Sequence, residues 1–117
     1  MSEAEFGVVA LGNAIVDVIV QTKDEFLVVN EIEKGVMTLI GADQAEALYD
    51  QVVAETEMSG GSAANTIAGL ASMGGRGAFI GKVRNDELGA IFRRDIRSLG
   101  VRFDTPPATS GAGTARC

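Results

Sequence analysis

The chain contains no histidine and only one cysteine, Cys117. With one thiol there is no intrachain disulfide and no Cys-cluster metal site. With no imidazole either, zinc chemistry and Ser-His or Cys-His catalysis cannot be assembled from this chain. Basic charge is also scarce. Ten Lys+Arg stand against sixteen Asp+Glu, a net charge of −6, which is the wrong sign for gripping nucleic-acid phosphates. No apolar run approaches the roughly 20 residues needed to cross a bilayer, and the opening MSEAEF lacks the basic and then apolar pattern of an export signal. The G-x-G-x-x-G dinucleotide fingerprint and the Walker A loop are both missing. These absences lead us to expect a cytoplasmic α/β domain that binds neither nucleic acid nor membrane.

What is present fits one domain. The 117 residues are 46% hydrophobic and 22% charged, an ordinary globular composition for a single unit. Residues 6–11 (FGVVAL) read as a strand buried on both faces, and residues 14–20 (AIVDVIV) as a second extended stretch after the break at Gly12-Asn13. Residues 21–34 suggest a loop with one helical turn, and residues 35–40 another strand. A helix over 43–53, capped by Asp43, follows from Ala45, Leu48, Val52 and Val53 at helical spacing. After the polar patch Glu55-Thr56-Glu57, residues 62–73 read as a buried helix stopped by Gly74-Gly75. Residues 77–81 are a strand, 87–99 a helix capped by Asp86 with Leu88, Ile91, Phe92 and Ile96 inward, and 101–103 a third strand. Strand, helix, strand, helix, strand at this spacing is a βαβαβ unit. Thr114 to Cys117 looks like the opening of a strand, so the chain is expected to be truncated.

Two segments invite a ligand. Gly60-Gly61 before a helix lets the backbone turn sharply and lets a ligand approach closely. The first N–H groups of that helix are free to donate, and Asn65 adds a side chain that both donates and accepts. A plain turn with Ser62 as helix cap explains the same residues. Gly12-Asn13-Ala14-Ile15-Val16-Asp17 follows the first strand, at the end of a parallel sheet where ligands bind. Asp17 interrupts an apolar stretch and needs a partner or a ligand hydroxyl, or else simply faces solvent in an alternating strand. Asp86 reads as structural, and Arg93, Arg94 and Arg97 as a solvated face diluted by Asp95.

Three linked motifs give these pieces a common origin. Gly12-Asn13 with Asp17, Gly60-Gly61-x-x-x-Asn65, and Gly81-Lys82-Val83-x-x-Asp86-x-x-Gly89 together resemble the PfkB carbohydrate kinase family, over about residues 8–114. The resemblance implies a Rossmann-like ribokinase-fold α/β core with a small β-sheet lid, the lid strands near 14–20 and 35–39. It implies that Asp17 accepts hydrogen bonds from sugar hydroxyls, that Gly60 and Gly61 offer backbone contacts, and that Asn13 and Asn65 line the same substrate site. The helix over 43–53 between lid and Gly-Gly motif, with Asp24-Glu25-Phe26-Leu27 and Met37-Thr38-Leu39, resembles the adenosine kinase branch. Ile15 would then be an apolar wall for the base, or alternatively core filling.

The resemblance also implies what this chain does not carry. The family's catalytic aspartate sits in a Gly-Ala-Gly-Asp motif, and here Gly111-Ala112-Gly113 is followed by Thr114. No catalytic residue is therefore assigned to these 117 residues, and the sites for ATP and Mg²⁺ are expected in a C-terminal half outside them. The expectation is the N-terminal, substrate-binding part of an ATP-dependent nucleoside kinase, with a ribokinase- or fructokinase-like sugar kinase as the alternative. A non-catalytic small-molecule binding module and a divergent dinucleotide-binding domain are the remaining readings. The same resemblance implies lid strands able to pair between subunits, as in a homodimer through the lid.

Overall fold

The computed structural model describes residues 4–117. Its elements run β1 (Val8–Leu11), β2 (Ile15–Ile19), α1 (Asp24–Val29), α2 (Ala42–Asp50), β3 (Thr56–Gly60), α3 (Ser62–Ser72), β4 (Gly77–Ile80), α4 (Glu87–Ser98) and β5 (Ala115–Arg116). They form two sheets. The charge-free runs VVAL and GAFI make a parallel pair, β1 with β4, Val8 opposite Gly77 through Leu11 opposite Ile80. The second sheet has the order β3-β2-β5, antiparallel on the β3 side and parallel on the β5 side. This is an α/β core with a small separate sheet, and the parallel part keeps the strand–helix–strand order read from the sequence.

Both sheets share one core. Phe79 of β4, Phe92 of α4 and Phe103 are all buried, with ring centroids 5.4–5.7 Å apart. Val16 of β2, Ile67 of α3 and Ile96 of α4 complete the fully buried set. Helix α4 makes the connection because Leu88, Phe92 and Ile96 fall on one face at spacings of four, and that face packs on β2 and β3. Helix α3, rich in small residues, lies against β1 and β4.

Asp86 starts α4 and does more than cap it. Its carboxylate accepts from the Gly89 N–H at 2.8 Å, the Thr114 N–H at 2.9 Å and the Thr114 hydroxyl at 2.6 Å. The helix start is thereby tied to the residue that leads into β5. Burial alone would raise its pKa, but the bonds from Thr114 and Gly89 outweigh it and hold the carboxyl below the usual carboxylate range. A folded-state pKa below the unfolded value contributes stability that is complete above about pH 4 and lost as the pH falls through the lowered value. Asp86→Ala is accordingly expected to lower unfolding free energy by about 1–3 kcal/mol at pH 7. The difference from the parent should shrink on acidification below the carboxylate range. Urea melts at several pH values check both points, and a constant difference down to strongly acid pH would contradict the assignment.

Several expectations are corrected. Residues 35–40 are not a strand, and Met37 and Leu39 stand largely in solvent. Strand β2 is the middle of its sheet, so both of its edges are already taken by β3 and β5. The second strand of the small sheet is instead β3, whose TEMSG sequence overlaps the supposed polar patch. Helix α2 begins after Gly41, with Asp43 inside its first turn rather than capping it, and ends at Asp50, leaving Val53 exposed. Gly61, not Ser62, occupies the cap position of α3.

Strand β1 is not buried on both faces, since Val9 and Leu11 are 55% and 77% exposed. Helix α3 lies against this sheet and Ala10 packs toward the core, which leaves the Val9 and Leu11 face open. Residues 101–103 form a single parallel bridge rather than a strand. Arg102 donates to the Gly77 carbonyl at 3.1 Å and accepts from the Phe79 N–H at 2.9 Å. The radius of gyration is 16.2 Å, above the roughly 13 Å of a compact domain of this length, and helices α1 and α2 contribute no buried residue to the core.

Candidate functional site

Alternation along β2 puts Ile15, Asp17 and Ile19 on one face and Val16 and Val18 on the other. Val16 is fully buried toward α4, so the Asp17 face is the one turned away from the core. In the antiparallel register Ile15 lies opposite Gly60 and Asp17 opposite Met58. The Asp17 carboxylate therefore reaches diagonally across Gly60. A Cβ on Gly60 would lie 2.4 Å from Asp17 Oδ2, so only a hydrogen fits beneath the carboxylate.

Gly61 turns the chain from β3 into α3 with φ +99°, and a Cβ there would lie 2.6 Å from the Asn13 carbonyl oxygen and 3.9 Å from Ile15 Cδ1. The loop that leaves β1 is thus seated on the start of α3. Gly61 brings no capping side chain, so the first N–H groups of α3 are not occupied by a cap. The structure brings Asn13, Ile15, Asp17, Gly60 and Gly61 into one cluster. Asn65 stands one turn into α3, its N–H donating to the Gly61 carbonyl at 2.8 Å and its side chain exposed.

Two clefts flank this cluster, and Ile15 lines both. One, near 530 Å³, opens at the carboxyl ends of β1 and β4 between Asn13, Gly81, Lys82, Arg84, Gly113 and Thr114. Its cations hold its rim. Lys82 Nζ donates to the Pro106 carbonyl at 2.7 Å, and the Arg84 guanidinium donates to the Gly111 carbonyl. The other, near 550 Å³, is more apolar and lies between the small sheet and the α1–α2 segment, lined by Ile15, Val18, Phe26, Leu39 and Tyr49. Asp17, Gly60, Gly61 and Asn65 stand beside these clefts, outside their walls. Among the described residues no three His, Cys, Asp or Glu side chains gather as metal ligands, so no Mg²⁺ site is derived from them.

A carboxylate over bare backbone, a turn seated on an asparagine, and an apolar wall beside both are set at one end of an α/β sheet. The family model for pfkB family carbohydrate kinases matches residues 8–117. The chain belongs to this family. The crystal structure of adenosine kinase from Sinorhizobium meliloti is 53% identical, with a TM-score of 0.79 over 97% of this chain and 35% of that one. A probable sugar kinase from Rhizobium etli CFN 42 is 47% identical, with a TM-score of 0.80 over 97% of this chain and 34% of that one. The probable chloroplastic fructokinase-6 of Arabidopsis thaliana is 41% identical over 56 residues, 48% of this chain and 15% of that protein. The PfkB chain described here thus spans about a third of the solved structures it matches.

Sequence reasoning missed two polar clusters that brace the small sheet. The Tyr49 hydroxyl on α2 donates to Glu57 of β3, and the Arg116 guanidinium of β5 lies 5.0 Å from the centre of the Tyr49 ring. The bond to Glu57, with some burial, pushes the Tyr49 pKa up to about 12, so the phenol remains a donor across the physiological range. Asp95 of α4, read as one charge on a solvated face, accepts from Ser59 instead. Neither pairing has a local signature, since the partners meet only after the small sheet has formed.

Proposed function

We propose that this chain is the substrate-binding part of an ATP-dependent kinase that phosphorylates a hydroxymethyl group, adenosine being the preferred acceptor. One observation carries the reading. The Asp17 carboxylate lies directly over Gly60, beside the Gly61 turn and the wall at Ile15. A ring edge bearing hydroxyls can donate to the carboxylate while resting on backbone, and a charge-assisted bond of this kind is stronger than a neutral one. Asn13 and Asn65 supply further donors and acceptors to the same ring, and Ile15 the apolar face on which a base stacks. The similarity to an adenosine kinase at 53% identity supports a nucleoside acceptor.

In this reading Asp17, Gly60 and Gly61 bind and orient the acceptor and take no part in proton transfer. ATP supplies the phosphoryl group, with Mg²⁺ to neutralise its phosphates, and no residue of this chain is assigned to hold either. The setting proposed is cytoplasmic. The second reading, a sugar kinase, draws on the match to a fructokinase segment. Because these 117 residues are assigned no ATP site, the two separate in a transfer assay of the full-length protein, with radiolabelled ATP offered adenosine, ribose and fructose in turn. Transfer to adenosine with the highest kcat/KM supports the proposal, and preferential transfer to fructose or ribose replaces it with the sugar reading. Binding of adenosine without transfer, by the full chain, would leave only a binding module.

A further inference from the structure

Strand β3 is an edge strand, and that leaves Ser59 with a problem. In an antiparallel pair, residues that exchange backbone bonds alternate with residues that do not. The backbone of Val16 and Val18 is committed to β5, since Cys117 donates to Val16 at 2.8 Å and Val18 donates to Cys117 at 2.7 Å. Ser59, opposite Val16, therefore has no ladder bond from β2. Its N–H points away from the sheet, and the residue is buried beneath α4. A buried donor without a partner destabilises the arrangement that buries it.

Asp95 of α4 removes the conflict. A single carboxylate oxygen, Oδ2, accepts from both the Ser59 N–H and the Ser59 hydroxyl, each at 2.7 Å. The next residue is Gly60, which has no side chain of its own to fix its place. Across the ladder Gly60 is held by its partner Ile15, and on the outer edge of β3 the neighbouring anchor is Ser59. We propose that Asp95 is a positioning residue for the substrate site, holding the Gly60–Gly61 turn at the distance at which Asp17 meets it. The inference rests on the acceptor-binding role given above to Asp17 and Gly60, and adds a residue on a different helix that touches no substrate.

The test is made in the full chain, by titrating adenosine and 2′,3′-dideoxyadenosine against the parent, Asp95→Ala and Asp95→Asn. Because one oxygen takes both bonds, the amide oxygen of Asn can do the same. Asp95→Ala is expected to weaken adenosine binding by about tenfold, the effect of stranding buried donors, and Asp95→Asn is expected to restore most of it. Dideoxyadenosine, lacking the hydroxyls that reach Asp17, should bind equally to all three. Equal weakening for both ligands would show a general loss of structure and overturn the proposal, as would failure of Asn to rescue.

Amide hydrogen exchange gives a readout that does not depend on the nucleoside. Asp95→Ala should speed exchange at Ser59 and Gly60 while leaving the β1–β4 amides unchanged. If the parent binds neither nucleoside, the acceptor reading fails while local exchange still reports whether Asp95 holds the turn. Unchanged exchange at Ser59 and Gly60 would overturn the positioning role itself. Should Asp95→Ala not fold, Ser59→Ala removes one of the two bonds and is expected to shift both readouts in the same direction by a smaller amount.

Discussion

Replacing Asp17 by Ala in the full-length kinase proposed above is expected to raise the KM for adenosine by about 10- to 150-fold, the range of 1.5–3 kcal/mol for hydrogen bonds to a charged group. The carboxylate is the one charged group that the cluster offers to a ring lying on Gly60. Its neighbours there are the Gly60 and Gly61 backbone, and Asn13 and Asn65 are neutral, so no second carboxylate takes over its charge-assisted bonds. The folded state should hardly notice, because Asp17 is turned away from the core and the fully buried set lies on the opposite face of β2. The expected pattern is therefore a large rise in KM, a kcat that falls much less, and a melting temperature near that of the parent. Steady-state kinetics with a parallel thermal melt check this. A KM unchanged by Asp17→Ala would remove Asp17 from the acceptor site.

The second large effect is expected at the glycine pair, and its two members should differ in kind. Gly61 combines φ +99° and ψ 146° with a Cβ position 2.6 Å from a backbone oxygen of Asn13. That conformation is almost confined to glycine, and forcing another residue into it costs about 1–3 kcal/mol. The carbonyl in the way belongs to the loop seated on α3 and has little freedom to retreat. Gly61→Ala should therefore lower stability by about 2–3 kcal/mol and disturb substrate binding with it. At Gly60 the obstruction is the Asp17 side chain, which can rotate aside. Gly60→Ala should accordingly spare stability and act on affinity, by pushing the carboxylate out of position.

This distinction has a direct consequence for the double variant. Once Asp17 is Ala, the obstruction above Gly60 is gone, so Gly60→Ala should add little further loss of affinity. The two losses should be strongly non-additive, as for residues in contact. Additive losses would mean that Gly60 and Asp17 act on the ligand separately. Chemical denaturation and adenosine titrations of the single and double variants give both readouts.

Much of this arrangement was legible in the sequence because its signals are local. The runs VVAL and GAFI contain no charge, Asp86 precedes an amphipathic helix at cap spacing, and Gly60-Gly61 directly precedes α3. The resemblance carried by Asp17, Gly60-Gly61 and Asn65 implied a shared site, and the structure adds that the Asp17 carboxylate lies against Gly60. What escaped depends on pairing between distant segments. Strand β3 carries Glu57 and Ser59 where an apolar residue would have marked its inner face, and their partners Tyr49 and Asp95 lie 8 and 36 positions away. Residues 35–40 carry the apolar pattern of a strand but pair with none of the described strands, and β2, the strand nearest in sequence, is already paired on both sides. Strand propensity in such cases describes a surface that could fit, and the available partner decides.

The most direct test of the central claim is the position of adenosine in a crystal of the protein grown with it. The account predicts the ribose hydroxyls within hydrogen-bond distance of the Asp17 carboxylate, the ring resting on Gly60 and Gly61, and the base against Ile15. Adenosine bound elsewhere, with Asp17 facing solvent and the glycine turn uncontacted, would contradict it.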